Sequence, residues 1–161
     1  MVSSPSVSNQ KIVILDFGSQ YTQLIARRIR ELSVFSEIVP FTIPLNELYD
    51  KKPSGIILSG GPASVYQKDA PRCDPALFSL GVPVLGICYG MQLMTHLLKG
   101  KVARSTHREY GPANLTVQPT DDLFRSVPDA TSVWMSHGDR VDRLPENFVA
   151  IGTTNNSPTA A

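Results

Sequence analysis

The sequence predicts an α/β fold with a mostly parallel, twisted sheet flanked by helices. Short apolar runs alternate with helical patterns up to Gly100, which is typical of βα units. Glycine-rich turns follow two of these runs, where a strand would end. Beyond Gly100 the runs become shorter and are separated by proline and aspartate turns. This change predicts a smaller antiparallel region after the parallel sheet.

The elements follow from hydrophobic periodicity and from capping residues. The first predicted elements are a strand at 11–15 and a helix at about 19–32. The apolar residues of this helix recur at helical spacing, and its arginines fall on the face that would be exposed to solvent. The next predicted elements are a strand at 36–40, a helix at 45–49, a strand at 55–58, a helix at 75–80 with Asp74 as N-cap, a strand at 82–85 and a helix at 91–99 with Gly100 as C-cap. Four short strands complete the chain, at 101–104, 114–118, 132–135 and 148–152.

Composition limits the classes of function. The chain has 161 residues, of which 42% are hydrophobic, and a net charge of +1. This length and composition predict a disordered leader at 1–10 and one domain at 11–161, which is large enough for a substantial core. The charge balance predicts neither a nucleic-acid nor a membrane partner, and no apolar run is long enough to span a bilayer. Two cysteines predict no disulfide framework, so a cytoplasmic location is expected.

One stretch, Gly86-Ile87-Cys88-Tyr89-Gly90, has the form of a nucleophile elbow between a strand and a helix. Glycine two residues before and after the cysteine removes side chains that would clash in such a tight turn. The helix N-terminus would stabilise a thiolate, so the pKa of Cys88 is expected to fall. The alternative interpretation is a buried cysteine that packs as a small hydrophobe.

Two further loops are expected to meet this elbow, because ligands bind at the carboxyl ends of parallel strands. They are the loops at 16–20 and at 59–62. A backbone N–H from the Gly60-Gly61 pair could join the N–H of Tyr89 as an oxyanion hole for an acyl carbon attacked by Cys88. The alternative for Gly-Gly-Pro is a plain turn.

Five strings carry a family resemblance: GICYGMQ at 86–92, SGGPASVY at 59–66, ILDFGSQYTQLIARRIRE at 14–31, HREYGPA at 107–113 and VWMSHGD at 133–139. Over about residues 11–161 the chain resembles the class I glutamine amidotransferase domain of GMP synthases. The resemblance implies a flavodoxin-like amidotransferase fold. It also implies hydrolysis of L-glutamine through a cysteine thioester, with the ammonia used to aminate XMP to GMP.

The resemblance also implies roles for individual residues. Cys88 would be the nucleophile, and the backbone N–H groups of Gly61 and Tyr89 would form the oxyanion hole. The expected glutamine-binding residues are Gly60, Gln92, Ser136, His137, Gly138 and Asp139, the last four in a loop. His137 is assigned to this loop and not to the general base. No metal and no cofactor is expected in this chain, and ATP and Mg²⁺ would belong to a separate synthetase domain.

The sequence departs from the family pattern at one point. The family's general base and its orienting acid belong to a His-Pro-Glu motif, which these residues lack. We therefore expect a C-terminally incomplete domain that is nearly inactive alone. The expected partners are L-glutamine and an ATP pyrophosphatase domain, in the same chain or on another. The alternatives are a non-catalytic module that binds glutamine or docks a synthetase, and a different class I amidotransferase.

Overall fold

The computed structural model describes residues 10–118 and 123–161, with side chains for all of these except 105–110, 136 and 137. The chain divides after Met91 into two compact units, and each is described by itself. The leader expected at 1–10 lies outside the described residues except for Gln10.

The first unit is built on a four-stranded parallel sheet. Its strands are β1 (Lys11–Asp16), β2 (Phe35–Pro40), β3 (Gly55–Leu58) and β4 (Val84–Gly86), in the spatial order β2-β1-β3-β4. Ile14 on β1 lies opposite Ile38 on β2 and Ile57 on β3, so β1 is paired on both sides. The parallel sheet predicted from the alternating pattern is confirmed.

Burial explains why these runs form the central strands. Val13, Ile14 and Leu15 on β1 are fully or almost fully buried, and so are Ile56 and Leu58 on β3. A strand of a parallel sheet is covered on both faces, so it becomes continuously apolar. For this reason the apolar pattern predicts β3 at its observed bounds.

Helices α1 (Thr22–Glu31) and α2 (Leu45–Asp50) follow β1 and β2. Ala26 is the fully buried residue of α1, and its carbonyl oxygen accepts a hydrogen bond from the Ser36 hydroxyl at 2.9 Å. Arg30 donates to the same hydroxyl, also at 2.9 Å, so Ser36 fastens α1 to β2.

The helix expected near Pro75 is a short 3₁₀ helix, Pro75–Ser79. Its Asp74 N-cap is confirmed, because the Asp74 carboxylate accepts the Ala76 N–H at 2.9 Å. The main-chain bonds close three residues apart, from Leu77 N–H to the Asp74 carbonyl and from Leu80 N–H to the Leu77 carbonyl. That spacing defines the tighter helix type, which is common in short pieces.

Helix α3 (Tyr89–Leu97) begins at the elbow and crosses the division between the units. It ends with Lys99 in the left-handed region at φ +67°, a place where the sequence led us to expect Gly100. Gly100 still takes part in the cap, because its N–H donates to the Thr95 carbonyl oxygen at 2.8 Å. A β-carbon on Gly100 would also stand 2.8 Å from the Arg143 carbonyl oxygen.

The second unit contains a three-stranded antiparallel sheet in the order β6-β5-β7. Its strands are β5 (Lys101–Val117), β6 (Ala130–Arg143) and β7 (Gly152–Thr153). Four short strands were expected, and this was wrong: two of them are parts of the single strand β5, and the last shrinks to β7. Within the described ranges, no helix combines the length and apolar character needed to cross a membrane.

Candidate active site

Cys88 occupies the tight turn between β4 and α3. Its φ is +51°, in the left-handed region that a non-glycine residue seldom adopts. A β-carbon on Gly86 would stand 2.7 Å from the Met91 backbone, and one on Gly90 would collide with the Leu58 carbonyl oxygen. Both glycines are therefore required by space, and the elbow geometry predicted from Gly-x-Cys-x-Gly is confirmed.

Main-chain bonds fix the elbow to the end of β3. The Ile87 N–H donates to the Leu58 carbonyl oxygen at 3.0 Å, and the Gly90 N–H donates to the Ser59 carbonyl oxygen at 3.1 Å. Tyr89 is fully buried and its hydroxyl donates to the Pro71 carbonyl oxygen. Because the residues on both sides of Cys88 are anchored, the position of the thiol is set by the backbone.

The Ser59 hydroxyl joins the two other loops. It accepts the Phe17 N–H at 2.9 Å and donates to the Gly60 carbonyl oxygen, also at 2.9 Å, while Ser59 itself is fully buried. With the bond from Gly90 to the Ser59 carbonyl, one residue contacts the loops that follow β1, β3 and β4. These loops meet as the parallel topology led us to expect.

The two glycines after Ser59 differ in the space that a side chain would have. A β-carbon on Gly61 would collide with the Phe17 carbonyl oxygen, so the meeting of the loops excludes a side chain there. A β-carbon on Gly60 would find ordinary contacts, with the Cys88 β-carbon and the Ser19 Oγ each at 3.5 Å. Gly60 is buried, so it forms the floor between Cys88 and Ser19.

The loop after β1 is ordered by Asp16. Its carboxylate oxygen accepts the Gly18 N–H at 3.0 Å and the Thr22 hydroxyl at 2.8 Å. This turn places Ser19 beside Gly60. The sequence pattern indicated this loop but no residue in it, so Ser19 was missed. The Ser19 hydroxyl accepts the Tyr21 N–H at 3.1 Å. A serine that can form such a turn two residues before its partner was the signal available in the sequence.

The pKa of the Cys88 thiol is raised, which contradicts the expected decrease. Removal of water by the surrounding protein raises it, and this outweighs the hydrogen bond from the Tyr89 N–H, which lowers it. The residue as a whole is nevertheless exposed. Cys73 differs, because it is buried and desolvation raises the pKa of its thiol to about 11.

In the second unit, Gln92 and Asp139 are brought together. Gln92 is buried, and its side-chain amide donates to the Asp139 carbonyl oxygen at 3.1 Å. The segment from Ser136 to Asp139 lies inside β6, so the expectation of a loop was wrong. Gly138 stands there opposite four residues of β5, 105–108, where the register shifts. The side chains of Ser136 and His137 lie outside the described part.

The first unit therefore presents an exposed cysteine on a turn fixed by main-chain bonds, with Gly60 next to it and the Tyr89 N–H bonded to its thiol. A thiol held in this way suits nucleophilic attack on an acyl carbon, since a neighbouring main-chain N–H can stabilise the oxyanion that forms. Among the residues described, no group of three or more His, Cys, Asp or Glu is placed to hold a metal ion.

Comparison with known proteins identifies the family of the chain. A family model described as "Glutamine amidotransferase class-I" matches residues 13–161. A glutamine-hydrolyzing GMP synthase from Campylobacter lari is 56% identical over 147 residues, which is 91% of this chain and 29% of that protein. The corresponding enzyme of Bacillus subtilis is 55% identical over 153 residues, 95% of this chain and 30% of that protein. The chain thus spans about 30% of the length of these curated relatives.

Solved structures have the same fold. A protein from Thermoplasma acidophilum that is described as a GMP synthase subunit superposes with a TM-score of 0.82 at 28% identity, covering 93% of this chain and 75% of that one. A glutamine amidotransferase from Thermotoga maritima gives a TM-score of 0.70 at 22% identity, covering 92% and 68%, and supports the fold alone. With a family match over almost its whole length, the chain belongs to the class I glutamine amidotransferases.

Proposed function

We propose that this chain is the glutamine-hydrolysing part of a GMP synthase. The observation that carries the proposal is Cys88, held at φ +51° on a turn whose flanking glycines leave space for no side chain. The relatives that are 55–56% identical are glutamine-hydrolysing GMP synthases. Their printed name supplies the substrate and the product of the whole enzyme.

The proposed reaction has two steps. The Cys88 sulfur forms a bond to the side-chain carbonyl carbon of L-glutamine, and the C–N bond breaks to release ammonia, which takes up the thiol proton. Water then cleaves the thioester to give glutamate and the free thiol. The backbone N–H groups of Gly61 and Tyr89 would stabilise the negative oxygen that forms in both steps.

The glutamine-binding roles of Gly60, Gln92, Ser136, His137, Gly138 and Asp139 belong to the same proposal. Gln92 would in part position Asp139, because its side-chain amide donates a hydrogen bond to the Asp139 carbonyl oxygen. Gly60 would act by leaving the floor beside Cys88 without a side chain.

We further propose that residues 1–161 turn over glutamine slowly. The sequence contains no His-Pro-Glu, and the pKa of Cys88 is raised. A positioned base and acid contribute about 10²- to 10⁴-fold to such reactions. The ammonia would pass to XMP on an ATP pyrophosphatase domain, in the same chain or on another, where ATP and Mg²⁺ would bind. A cytoplasmic location suits two cysteines that form no disulfide.

Labelling with a diazoketone analogue of L-glutamine tests the proposal without requiring turnover. We expect one adduct, on Cys88, and slower labelling when L-glutamine is added. Cys88→Ala should abolish the adduct, whereas Cys73→Ala is the matched control and should retain it, because Cys73 is buried. Labelling of Cys73 in preference to Cys88 would overturn the proposal. Binding of glutamine without any labelling would indicate a non-catalytic glutamine-binding module instead.

A further inference from the structure

The Ser19 hydroxyl lies across Gly60 from the β-carbon of Cys88, and it was not among the site residues expected from the sequence. Its Oγ and the β-carbon of Cys88 each lie 3.5 Å from the point where a β-carbon on Gly60 would stand. The two atoms are therefore at most twice that distance apart. Cys88 is exposed and Ser19 is half-buried, so each residue is accessible to solvent at least in part.

The Ser19 hydroxyl has hydrogen-bonding capacity left over. Its oxygen accepts one bond, from the Tyr21 N–H at 3.1 Å. A hydroxyl oxygen has a second lone pair and a proton to donate. This remaining capacity is available to a molecule bound next to Cys88.

A second acceptor lies on the same floor. The Ile87 carbonyl oxygen is 3.7 Å from the same point over Gly60. It accepts the Gly90 N–H at 2.9 Å, but Gly90 shares that N–H with the Ser59 carbonyl oxygen at 3.1 Å. A carbonyl oxygen has two lone pairs, so one remains for a ligand.

We propose that the Ser19 Oγ and the Ile87 carbonyl oxygen accept the two N–H bonds of the side-chain amide of glutamine. This inference rests on the proposed function and deepens it. The amide carbon would then lie over the Cys88 sulfur while the N–H groups of Gly61 and Tyr89 take its oxygen. Ser19 is a specificity-determining residue in this arrangement, because it contacts the –NH₂ group that distinguishes glutamine from glutamate and its esters.

The test measures how well two ligands protect Cys88 from N-ethylmaleimide in the 161-residue chain. One is L-glutamine, which has the N–H bonds, and the other is the γ-methyl ester of L-glutamate, which lacks them. Losing one hydrogen bond between neutral groups should weaken protection by glutamine about three- to tenfold in Ser19→Ala. Protection by the ester should not change, and Ser19→Thr, which keeps the hydroxyl, should restore protection by glutamine.

Ser64→Ala is the matched control, because the Ser64 hydroxyl accepts the Tyr66 N–H in the same kind of turn, at 3.5 Å. It should leave both ligands unaffected. If Ser19→Ala weakens both ligands equally, Ser19 only orders its loop and the inference is wrong. Unchanged protection by glutamine in Ser19→Ala would also overturn it. If glutamine fails to protect the unmodified chain, the proposed function itself fails, which separates the two ideas.

Discussion

The carbonyl oxygen of Leu58 occupies the place where a β-carbon on Gly90 would stand. The same oxygen accepts the Ile87 N–H at 3.0 Å, so the last residue of β3 both bonds the elbow and limits what may follow it. The turn that carries Cys88 is thus seated on β3 by its main chain.

Gly90→Ala should therefore destabilise the protein severely. The clash involves backbone on both sides, so neither partner can move away cheaply, and we expect the free energy of unfolding to fall by about 3 kcal/mol or more. Urea denaturation measures the loss. The control is Gly81→Ala, where φ is +73° but nothing lies within 4 Å, and strain alone should cost about 1 kcal/mol. Equal small losses would show that the elbow is not seated in this way.

Ser59→Ala should cost about 1–3 kcal/mol, because it leaves the N–H of buried Phe17 without its acceptor. Ser54→Ala is the control, since the exposed Ser54 hydroxyl accepts a main-chain N–H, that of Lys11 at 3.3 Å. We expect less than about 0.5 kcal/mol there, because water can replace the bond. Thermal or urea unfolding compares the two variants, and equal losses would contradict the role given to Ser59.

Gly60→Ala and Gly61→Ala should separate stability from ligand binding. An alanine fits at Gly60 with contacts of 3.5 Å or more, so unfolding should change little. Its methyl group would stand between Cys88 and Ser19, and we expect protection of Cys88 by glutamine to weaken about tenfold or more. At Gly61 the methyl group would collide with the Phe17 carbonyl oxygen, so the free energy of unfolding should fall more in Gly61→Ala than in Gly60→Ala. Unaltered protection in Gly60→Ala would contradict the placement of the ligand.

Stability should fall at alkaline pH because of Cys73. Burial, with a smaller contribution from the Asp74 carboxylate, raises the pKa of this thiol to about 11 from its ordinary value of 9.0, which we take for the unfolded chain. Between these values the unfolded state has lost the proton and the folded state has kept it, so unfolding becomes easier as pH rises. The stabilising contribution is complete below about pH 8 and should have lost about 2 kcal/mol by about pH 10.5.

Urea denaturation under reducing conditions at both pH values, in the unmodified chain and in Cys73→Ala, isolates this contribution. The variant should show a smaller decline with pH, by about the same 2 kcal/mol. Identical declines would show that Cys73 does not ionise differently on unfolding.

The sequence was most informative where one physical requirement acts alone. Burial on both faces makes β1 and β3 continuously apolar, so these strands were predictable. Close backbone contacts exclude a side chain at Gly86 and Gly90, so the elbow was predictable as well. The antiparallel sheet was not, because β5 continues through polar residues and its pairing with β6 shifts register opposite Gly138. Pairing between distant segments decides such strands, and local pattern does not report it.

The site shows the same division. The sequence predicted that the loops after β1, β3 and β4 would meet, since topology alone places them at one edge of the sheet. It could not predict the direction of the Cys88 pKa shift, because desolvation depends on which atoms the fold brings around the thiol. Nor could it select Ser19, whose importance comes from a distance to Gly60 across the chain.

Cys88, the reactive residue, has a left-handed backbone conformation, which is strained for any residue with a β-carbon. Glycine would adopt this conformation without strain, so the native thiol is kept at a cost in folding free energy of about 1–2 kcal/mol. Random substitution followed by selection for thermal stability alone should therefore recover Cys88→Gly early, giving a sturdier protein that can form no thioester. Reactivity and robustness oppose each other at this one residue, and only selection for chemistry can keep the cysteine there.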